Sequence, residues 1–217
     1  NTLLQRTGAR TGLITTRGFR DVLEIGRIRM PDMFDLSWDK PKPLIPRRYR
    51  LEVDERIAAD GSIVEPLNER DVVAAGERLV AAGMEAVAVC LLNSYRNPLH
   101  ERGIEDILRA RFPQLLVTAS YAVLPERKEY ERTSTTVVNA YIGPKVGGYV
   151  QSLKSSLGAI GFRGDLSIMR SNGGVMTPEV ATARPVAMME SGPVGGIIAS
   201  AQVGAALGFP NVISFDM

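Results

Sequence analysis

Four residues that follow a predicted strand have the types that can surround an anion. They are Ser171, Asn172, Gly173 and Gly174, and the strand is the apolar run 166–169. Glycines let a backbone approach a ligand closely, and consecutive N–H groups can form an anion-binding nest. An ordinary turn is the alternative interpretation of the same residues.

A second glycine-rich segment opens a predicted helix over 197–207. It contributes Ser191, Gly192, Gly195 and Gly196. A helix N-terminus carries free N–H groups and partial positive charge, so a phosphate or carboxylate can bind there. The segment is neither a Walker A motif nor a G-x-G-x-x-G motif. Close packing of the helix through its glycines is the alternative.

One carboxylate stands at the end of a predicted strand. Asp216 closes the run 212–216. In α/β proteins ligands and metal ions gather at the carboxyl ends of central strands. Asp216 is therefore a candidate ligand-binding residue, and a solvated aspartate at a strand end is the alternative.

The chain offers few residues for other kinds of catalysis. It has one cysteine, Cys90, and one histidine, His100, so a His/Cys zinc site cannot be built. Cys90 lies in the apolar run 86–92, which predicts a buried, inert thiol. A Ser-His-Asp triad would have to use His100, and no G-x-S-x-G motif accompanies it.

Composition excludes several classes of protein. The 217 residues are 45% hydrophobic, which suits one large or two smaller domains with a core. The formal net charge of +2 gives no electrostatic reason to expect nucleic acid or an anionic membrane surface. No apolar run reaches the roughly 18 residues of a membrane span. A single cysteine fits a reducing compartment and hence the cytoplasm.

Alternating strands and helices position the candidate residues. Strands are predicted at 12–16, 49–57, 86–92 and 115–118, and helices at 68–83 and 97–113. The run 86–92 is continuously apolar, which is typical of a strand covered on both faces of a parallel sheet. The chain is therefore predicted to be an α/β protein.

A second part of the chain begins near residue 124. Residues 126–161 predict one long helix or two joined helices, which Pro144 would kink. The charged residues at its start, Arg132 among them, are typical of a solvated face. The run 133–136, Thr-Ser-Thr-Thr, is unusual inside a helix because these side chains compete for backbone hydrogen bonds. It marks either a helix start or a polar contact.

Three long blocks of sequence occur in a fixed order. They are 1–27, with Gly-Phe-Arg-Asp-Val-Leu-Glu-Ile-Gly at 18–26; 129–141, with Glu-Arg-Thr-Ser-Thr-Thr at 131–136; and 171–196, which opens with Ser-Asn-Gly-Gly-Val-Met. Together these blocks resemble the hydantoinase A/5-oxoprolinase/acetone carboxylase family. The resemblance extends over nearly the whole chain.

The resemblance implies part of an actin-like ATPase (ribonuclease H-like) fold with long connecting helices. Family members have two phosphate-binding loops of the Asp-x-Gly-Gly-Thr type. By this resemblance the first loop would precede Asn1, and the second would begin at Asp216. The chain is then an internal piece: 1–123 would be the remainder of the hydantoinase/oxoprolinase N-terminal region. Residues 124–217 would be the start of the hydantoinase A domain, truncated at its phosphate loop.

The resemblance also implies an ATP-dependent parent enzyme that uses Mg²⁺. Its reaction would be ring-opening hydrolysis of a cyclic amide, such as a hydantoin or 5-oxoproline, or a related carboxylation of a ketone. Asp216 would be the catalytic and metal-binding residue. The segments 171–174 and 191–196 would line the cofactor cleft. The piece alone is expected to be inactive, because most of the ATP site would lie outside it.

A partner subunit of the hydantoinase B type is implied as well. The alternative function is a non-catalytic scaffold that docks this partner, with the proline-rich segment 28–48 as the docking strip. Truncated strands would leave exposed edges that permit homo-oligomers. A sugar-kinase-like function would share the fold but not the three sequence blocks.

Overall fold

The computed structural model describes residues 1–27, 31–32 and 34–216, and the chain divides into two compact units. Unit 1 is Asn1–Pro144 and unit 2 is Lys145–Met217. The strands are β1 (Thr11–Thr16), β2 (Arg50–Val53), β3 (Arg56–Ile57), β4 (Ile63–Glu65), β5 (Ala86–Cys90), β6 (Leu116–Ala119), β7 (Ile168–Met169) and β8 (Val175–Met176). The helices are α1 (Val22–Ile25), α2 (Glu69–Ala81), α3 (Leu99–Arg111), α4 (Ser120–Val123), α5 (Glu129–Ala159), α6 (Pro178–Ala183) and α7 (Ser191–Ala206), with 3₁₀ turns at Arg47–Tyr49 and Pro185–Met188.

Unit 1 is built on a parallel four-stranded sheet in the order β2-β1-β5-β6. Every residue of β5 is buried, which confirms the prediction of a strand covered on both faces. One face carries Val87 and Val89 in the main hydrophobic cluster, which α2 and α3 complete. The other face carries Ala86, Ala88 and Cys90 in a second cluster. All five strand residues thus exclude water, and this burial fixes the position of the strand's carboxyl end.

Helices α2 and α3 cover the first face with regularly spaced apolar residues. Val72 and Leu79 of α2 and Ile104 and Leu108 of α3 are almost fully buried. Each such side chain contributes about 1.5–3 kcal/mol by leaving water. The second face is covered by the first half of α5, through Val137 and Ala140 among others.

The predicted single strand 49–57 is interrupted, and the prediction was wrong at this point. β2 ends at Val53, and β3 pairs with β4 in a separate antiparallel ribbon. The backbone between them is held by other partners, since Asp54 N donates to Asp71 Oδ2 at 3.0 Å. The break turns the buried carboxylate of Glu55 toward the end of the sheet.

Unit 2 contains the second half of α5, the β7–β8 hairpin, α6 and α7. α5 is one helix with Pro144 inside it. Thr177 caps α6, because its hydroxyl accepts from Val180 N, and Pro178 stands in the first turn. The small core of unit 2 is formed by Val150, Ile168, Met176 and Ala181. Among the described helices of either unit, none is long and apolar enough to cross a bilayer.

Candidate functional site

The turn 171–174 joins β7 to β8 at the tip of their hairpin. Gly173 adopts φ 85°, a conformation that favours glycine. Its N–H donates to Arg170 O at 3.0 Å, and Gly174 N donates to Asn172 Oδ1 at 3.2 Å. Ser171 N donates to Ala187 O at 2.7 Å. Three of the four backbone N–H groups therefore have acceptors within the protein, so the turn as it stands is not an open anion nest.

The second glycine-rich segment is the first one and a half turns of α7. The helix begins at Ser191, six residues before the predicted start, since Pro193 is tolerated in a first turn. Glu190 occupies the N-cap position and makes no side-chain capping hydrogen bond. A β-carbon at Gly192 or Gly196 would meet nothing within 4 Å. The start of α7 is thus uncapped by a side chain and open to a ligand.

The structure brings these two segments together. A β-carbon at Gly173 would lie 2.9 Å from Ile198 Cδ1 and 3.8 Å from Val194 Cγ1 of α7. Ser171 Oγ donates to Ala187 O at 2.8 Å in the 3₁₀ turn that leads into the helix. A side chain at position 173 would require the end of Ile198 to shift, and it would be strained by the positive φ, so glycine suits this position on both counts.

Asp216 is not joined to these two segments by a hydrogen bond or a strand pairing in the described structure. The strand predicted for 212–216 is an exposed, irregular segment, and no strand in the described part of the chain pairs with it. A strand is stabilised by hydrogen bonds to a neighbouring strand. An apolar run without such a neighbour therefore does not form a strand. Asp216 makes no hydrogen bond or ion pair with a described residue. Val212 packs near Gly204, which is about 12 Å along the helix axis from Gly196.

Unit 1 carries a buried polar cluster that the sequence patterns did not reveal. It consists of Thr16, Glu55, Ser94, His100, Glu101, Ser120 and Arg132, all almost inaccessible to solvent. Its members stand at or beyond the ends of β1, β2, β5 and β6. This is the carboxyl edge of the parallel sheet, where α/β proteins place ligands. We call it the carboxyl-edge cluster.

Glu101 forms the best-connected part of the carboxyl-edge cluster. Its Oε1 accepts from Leu91 N at 2.8 Å and from Ser120 Oγ at 2.6 Å, and its Oε2 accepts from Tyr121 N at 2.9 Å. Burial raises the pKa of this carboxyl above its ordinary value, and the three donors act against that rise. Glu101 therefore joins the ends of β5 and β6 to α3.

Glu55 and His100 form a second buried pair. His100 Nδ1 lies 2.7 Å from Glu55 Oε2, and the hydroxyl of Thr16 donates to Glu55 Oε1. The same hydroxyl accepts from Leu92 N at 2.9 Å. His100 is thus held in the interior by a carboxylate. Among the hydrogen bonds of the described residues, His100 has none to a serine hydroxyl, as a Ser-His-Asp triad would need.

Arg132 is buried, although charge at the start of the long helix predicted a solvated face. It is 1% exposed and donates from Nη2 to Leu91 O at 2.6 Å. Its Nε and Nη1 have no hydrogen-bond acceptor among the described residues. The helix start is covered because this part of α5 lies against the end of the sheet. The Thr-Ser-Thr-Thr run at 133–136 is the sequence feature that could have indicated this burial. Its threonines make polar contacts in the interior, since Thr133 donates to Cys90 Sγ and Thr136 donates to Arg132 O.

Cys90 is buried, as predicted. It is 2% exposed, and burial raises the pKa of its thiol. A thiol that stays protonated and inaccessible is a poor nucleophile. Nor do the described residues contain a group of three or more His, Cys, Asp or Glu side chains that could hold a metal ion.

The fold and these sites define an α/β protein with a parallel sheet in one unit and a helix start apposed to a hairpin turn in the other. Comparison of the sequence with models of known protein families identifies its family. The hydantoinase/oxoprolinase N-terminal region matches residues 1–112, and the hydantoinase/oxoprolinase profile matches residues 132–217. The chain belongs to the hydantoinase/oxoprolinase family.

Relatives of known and unknown role agree with this assignment. An uncharacterized protein of Methanocaldococcus jannaschii is 47% identical over 94% of this chain and 30% of its own length. The caprolactamase subunit alpha of Pseudomonas jessenii is 35% identical over 100% of this chain and 32% of its own length. This chain therefore spans about a third of these relatives.

Solved structures show the same fold. The ATP-dependent caprolactamase of Pseudomonas jessenii superposes with a TM-score of 0.88 at 34% identity, covering 96% of this chain and 30% of that one. A nucleotide-free acetone carboxylase superposes with a TM-score of 0.85 at 30% identity, covering 96% of this chain and 31% of that one. The recognition made from the three sequence blocks is confirmed.

Proposed function

We propose that this chain is part of an ATP-dependent enzyme that opens cyclic amides, or of a closely related ATP-dependent ketone carboxylase. Similarity to an ATP-dependent caprolactamase and to an acetone carboxylase supports the use of ATP. Within the chain, the observation that carries the proposal is the start of α7, which no side chain caps and against which the turn 171–174 is packed. An N-terminus of this kind suits a phosphate group.

The chain's own residues would bind and orient the nucleotide. The free N–H groups at Ser191 and Gly192 would donate to phosphate oxygens, and the open surface at Gly196 would leave room for them. The turn 171–174 would line the cleft and fix the helix start, rather than donate its own engaged N–H groups. Bound ATP would supply a phosphoryl group that makes an amide or enolate oxygen a good leaving group. Fixed positioning and electrostatic stabilisation by the protein would lower the barrier, and water would then attack the activated amide in ring opening.

Asp216 is proposed as the metal-binding and catalytic carboxylate. Mg²⁺ is commonly held by one or two carboxylates together with substrate phosphates and water, so a single exposed aspartate fits this role. We further propose that the whole protein has the actin-like ATPase fold and that a domain boundary lies near residue 124. We also propose a hydantoinase B-type partner subunit and a cytoplasmic location.

A substitution at Gly192 tests the phosphate site. Gly192→Asp places a carboxylate in the first turn of α7, where it favours the helix and where its β-carbon meets nothing within 4 Å, so we expect the variant to fold. The added charge would repel the phosphates, and two like charges about 4 Å apart cost about 4 kcal/mol near a protein surface. Mg-ATP binding by the full-length protein is measured by calorimetry.

The matched control is Gly148→Asp, which adds the same charge at an equally open position in α5. We expect Gly192→Asp to lose measurable Mg-ATP binding and Gly148→Asp to retain it. Wild-type affinity in the Gly192→Asp variant would overturn the site. Absence of Mg-ATP binding in the wild type would overturn the ATP-dependent function.

A second candidate function is docking of a partner subunit without catalysis. The described part of the strip 28–48 exposes large apolar side chains, with Phe34 86% and Leu36 99% exposed; residues 28–30 and 33 lie outside the described residues. Replacing Phe34 and Leu36 by serine should then abolish co-purification with the partner subunit and leave Mg-ATP binding intact.

A further inference from the structure

Unit 1 carries an arginine-rich cavity of about 570 Å³ beside the edge strand β2. Six arginines line it, but only two carboxylates do, Glu52 and Asp71. The arginines are Arg17, Arg20, Arg47, Arg48, Arg50 and Arg78. No step of the proposed ATP chemistry uses these residues, so the cavity needs its own explanation.

Ion pairs hold four of the six arginines in place. Arg47 donates two hydrogen bonds of 2.8 Å to Asp21. The other pairs are Arg17 with Asp54 and Asp71, Arg20 with Glu52, and Arg50 with Glu24. A guanidinium has five N–H groups, so these fixed side chains keep donors that the carboxylates do not use.

Arg48 and Arg78 have no carboxylate within ion-pairing distance in the described part of the chain. Both are exposed, and Arg48 lies over the ring of Tyr49 at 4.7 Å from its centroid. The six arginines outnumber the five carboxylates that pair with them. The surplus is one positive charge, and the two guanidinium groups without a carboxylate partner are those of Arg48 and Arg78.

Arg50 adds positive charge from the interior. Its side chain is 1% exposed although it lines the cavity, and its Nη1 is a buried donor without a hydrogen-bond acceptor. Its charge is paired with Glu24, and Nη1 lies 3.8 Å from Asp21 Oδ1, beyond hydrogen-bond distance. A buried donor without an acceptor is unfavourable, and an anion in the cavity would supply one.

We propose that this cavity binds a small oxyanion with two or more negative charges, with Arg48 and Arg78 as its direct ligands. Guanidinium groups match the geometry of oxyanions and donate pairs of parallel hydrogen bonds to them. Phosphates and polycarboxylates share this chemistry. The inference concerns unit 1 alone and does not depend on ATP binding at α7.

Calorimetric titration of the 217-residue chain tests the site, with pyrophosphate and citrate as separate probes at matched ionic strength. We expect saturable binding of at least one probe, and a loss of about tenfold in affinity in Arg78→Ala, because hydrogen bonds to charged groups are of that strength. Arg70→Ala is the matched control. It removes the same charge from an exposed position on the same helix but outside the cavity lining, so its affinity should equal that of the wild type.

Each outcome decides the proposal. Binding of pyrophosphate alone assigns a phosphate-type ligand, and binding of citrate alone assigns a carboxylate-type ligand. Failure of both probes to bind overturns the site. Wild-type affinity in Arg78→Ala overturns it too, because the probe would then bind elsewhere. Equal weakening in Arg78→Ala and Arg70→Ala also overturns it, because general charge attraction would explain the binding. Arg48→Ala provides an independent second variant, and circular dichroism confirms that each variant is folded.

Discussion

Replacement of Glu101 tests whether the carboxyl-edge cluster holds the end of the sheet together. The carboxylate is fully buried and accepts three hydrogen bonds, from Leu91 N, Ser120 Oγ and Tyr121 N. In Glu101→Ala all three donors lose their acceptor, and each buried donor left unpaired costs about 1–3 kcal/mol. We expect the free energy of unfolding to fall by about 4 kcal/mol or more, a large part of the roughly 5–15 kcal/mol of a typical domain.

Glu101→Gln separates the loss of hydrogen bonds from the loss of volume. Its carbonyl oxygen can keep the bonds from Leu91 N and Ser120 Oγ, while its amide NH₂ would face Tyr121 N. Only the Tyr121 N–H then loses its acceptor, so the expected cost is about 1–2 kcal/mol, less than half that of the alanine variant. Glu77→Gln is the control, since Glu77 is exposed on α2.

Urea denaturation of the three variants at neutral pH gives these free energies. The pH dependence supplies an independent check. Because the folded-state pKa of Glu101 lies above the ordinary value of 4.5, its protonated form favours the folded state. Its contribution is fully present below pH 4.5 and is lost as the pH rises through the folded pKa, and Glu101→Gln should lack that loss. A cost below about 1 kcal/mol for Glu101→Ala would refute the reasoning.

Three further predictions concern packing, titration and reactivity. Gly76→Ala should destabilise the protein, because its β-carbon would lie 2.2 Å from Phe112 Cε2. Gly148→Ala, by contrast, meets open space in α5 and should raise the free energy of unfolding by about 0.5–1 kcal/mol, as measured by thermal or urea unfolding. The ion pair with Lys154 lowers the pKa of Glu179 to about 2, so its stabilising contribution is present above pH 4.5 and is lost as the pH falls toward 2; Glu179→Gln should lack this loss, and added salt should weaken it. Cys90 should resist alkylation by iodoacetamide in the native protein and react once urea unfolds it, and rapid native labelling followed by mass spectrometry would contradict its burial.

Local patterns were sufficient to predict the elements that position the sites. The continuous apolar run at 86–92 predicted the central strand, because a strand buried on both faces has no polar side. The helix predicted at 68–83 begins where Asn68 caps it, since the side chain of Asn68 accepts from Arg70 N. Asp71, three residues further on, does not accept from the Asn68 backbone; its carboxylate accepts from Asp54 N. That partner is distant in sequence, so no local rule could predict it.

The carboxyl-edge cluster was missed for the same reason. Its contacts join residues 39 and 45 positions apart, as in Thr16 with Glu55 and Glu55 with His100. Periodicity reports which face of an element is apolar, but it does not report which polar side chains meet beyond the strand ends. The strand prediction for 212–216 failed for a related reason. Whether an apolar run forms a strand depends on a neighbouring strand, and this run has none among the described residues.

The end of the central strand is held on both sides of one residue. Leu91 follows β5; its N–H donates to the carboxyl group of Glu101, and its carbonyl accepts from the guanidinium of Arg132. Both buried side chains therefore have a backbone partner, and they make no ion pair with each other in the described structure. Because Arg132 belongs to α5 and Glu101 to α3, this residue ties the sheet to helices on both of its faces. The carboxyl edge is thus fixed to the helices by side-chain hydrogen bonds to the backbone as well as by apolar packing.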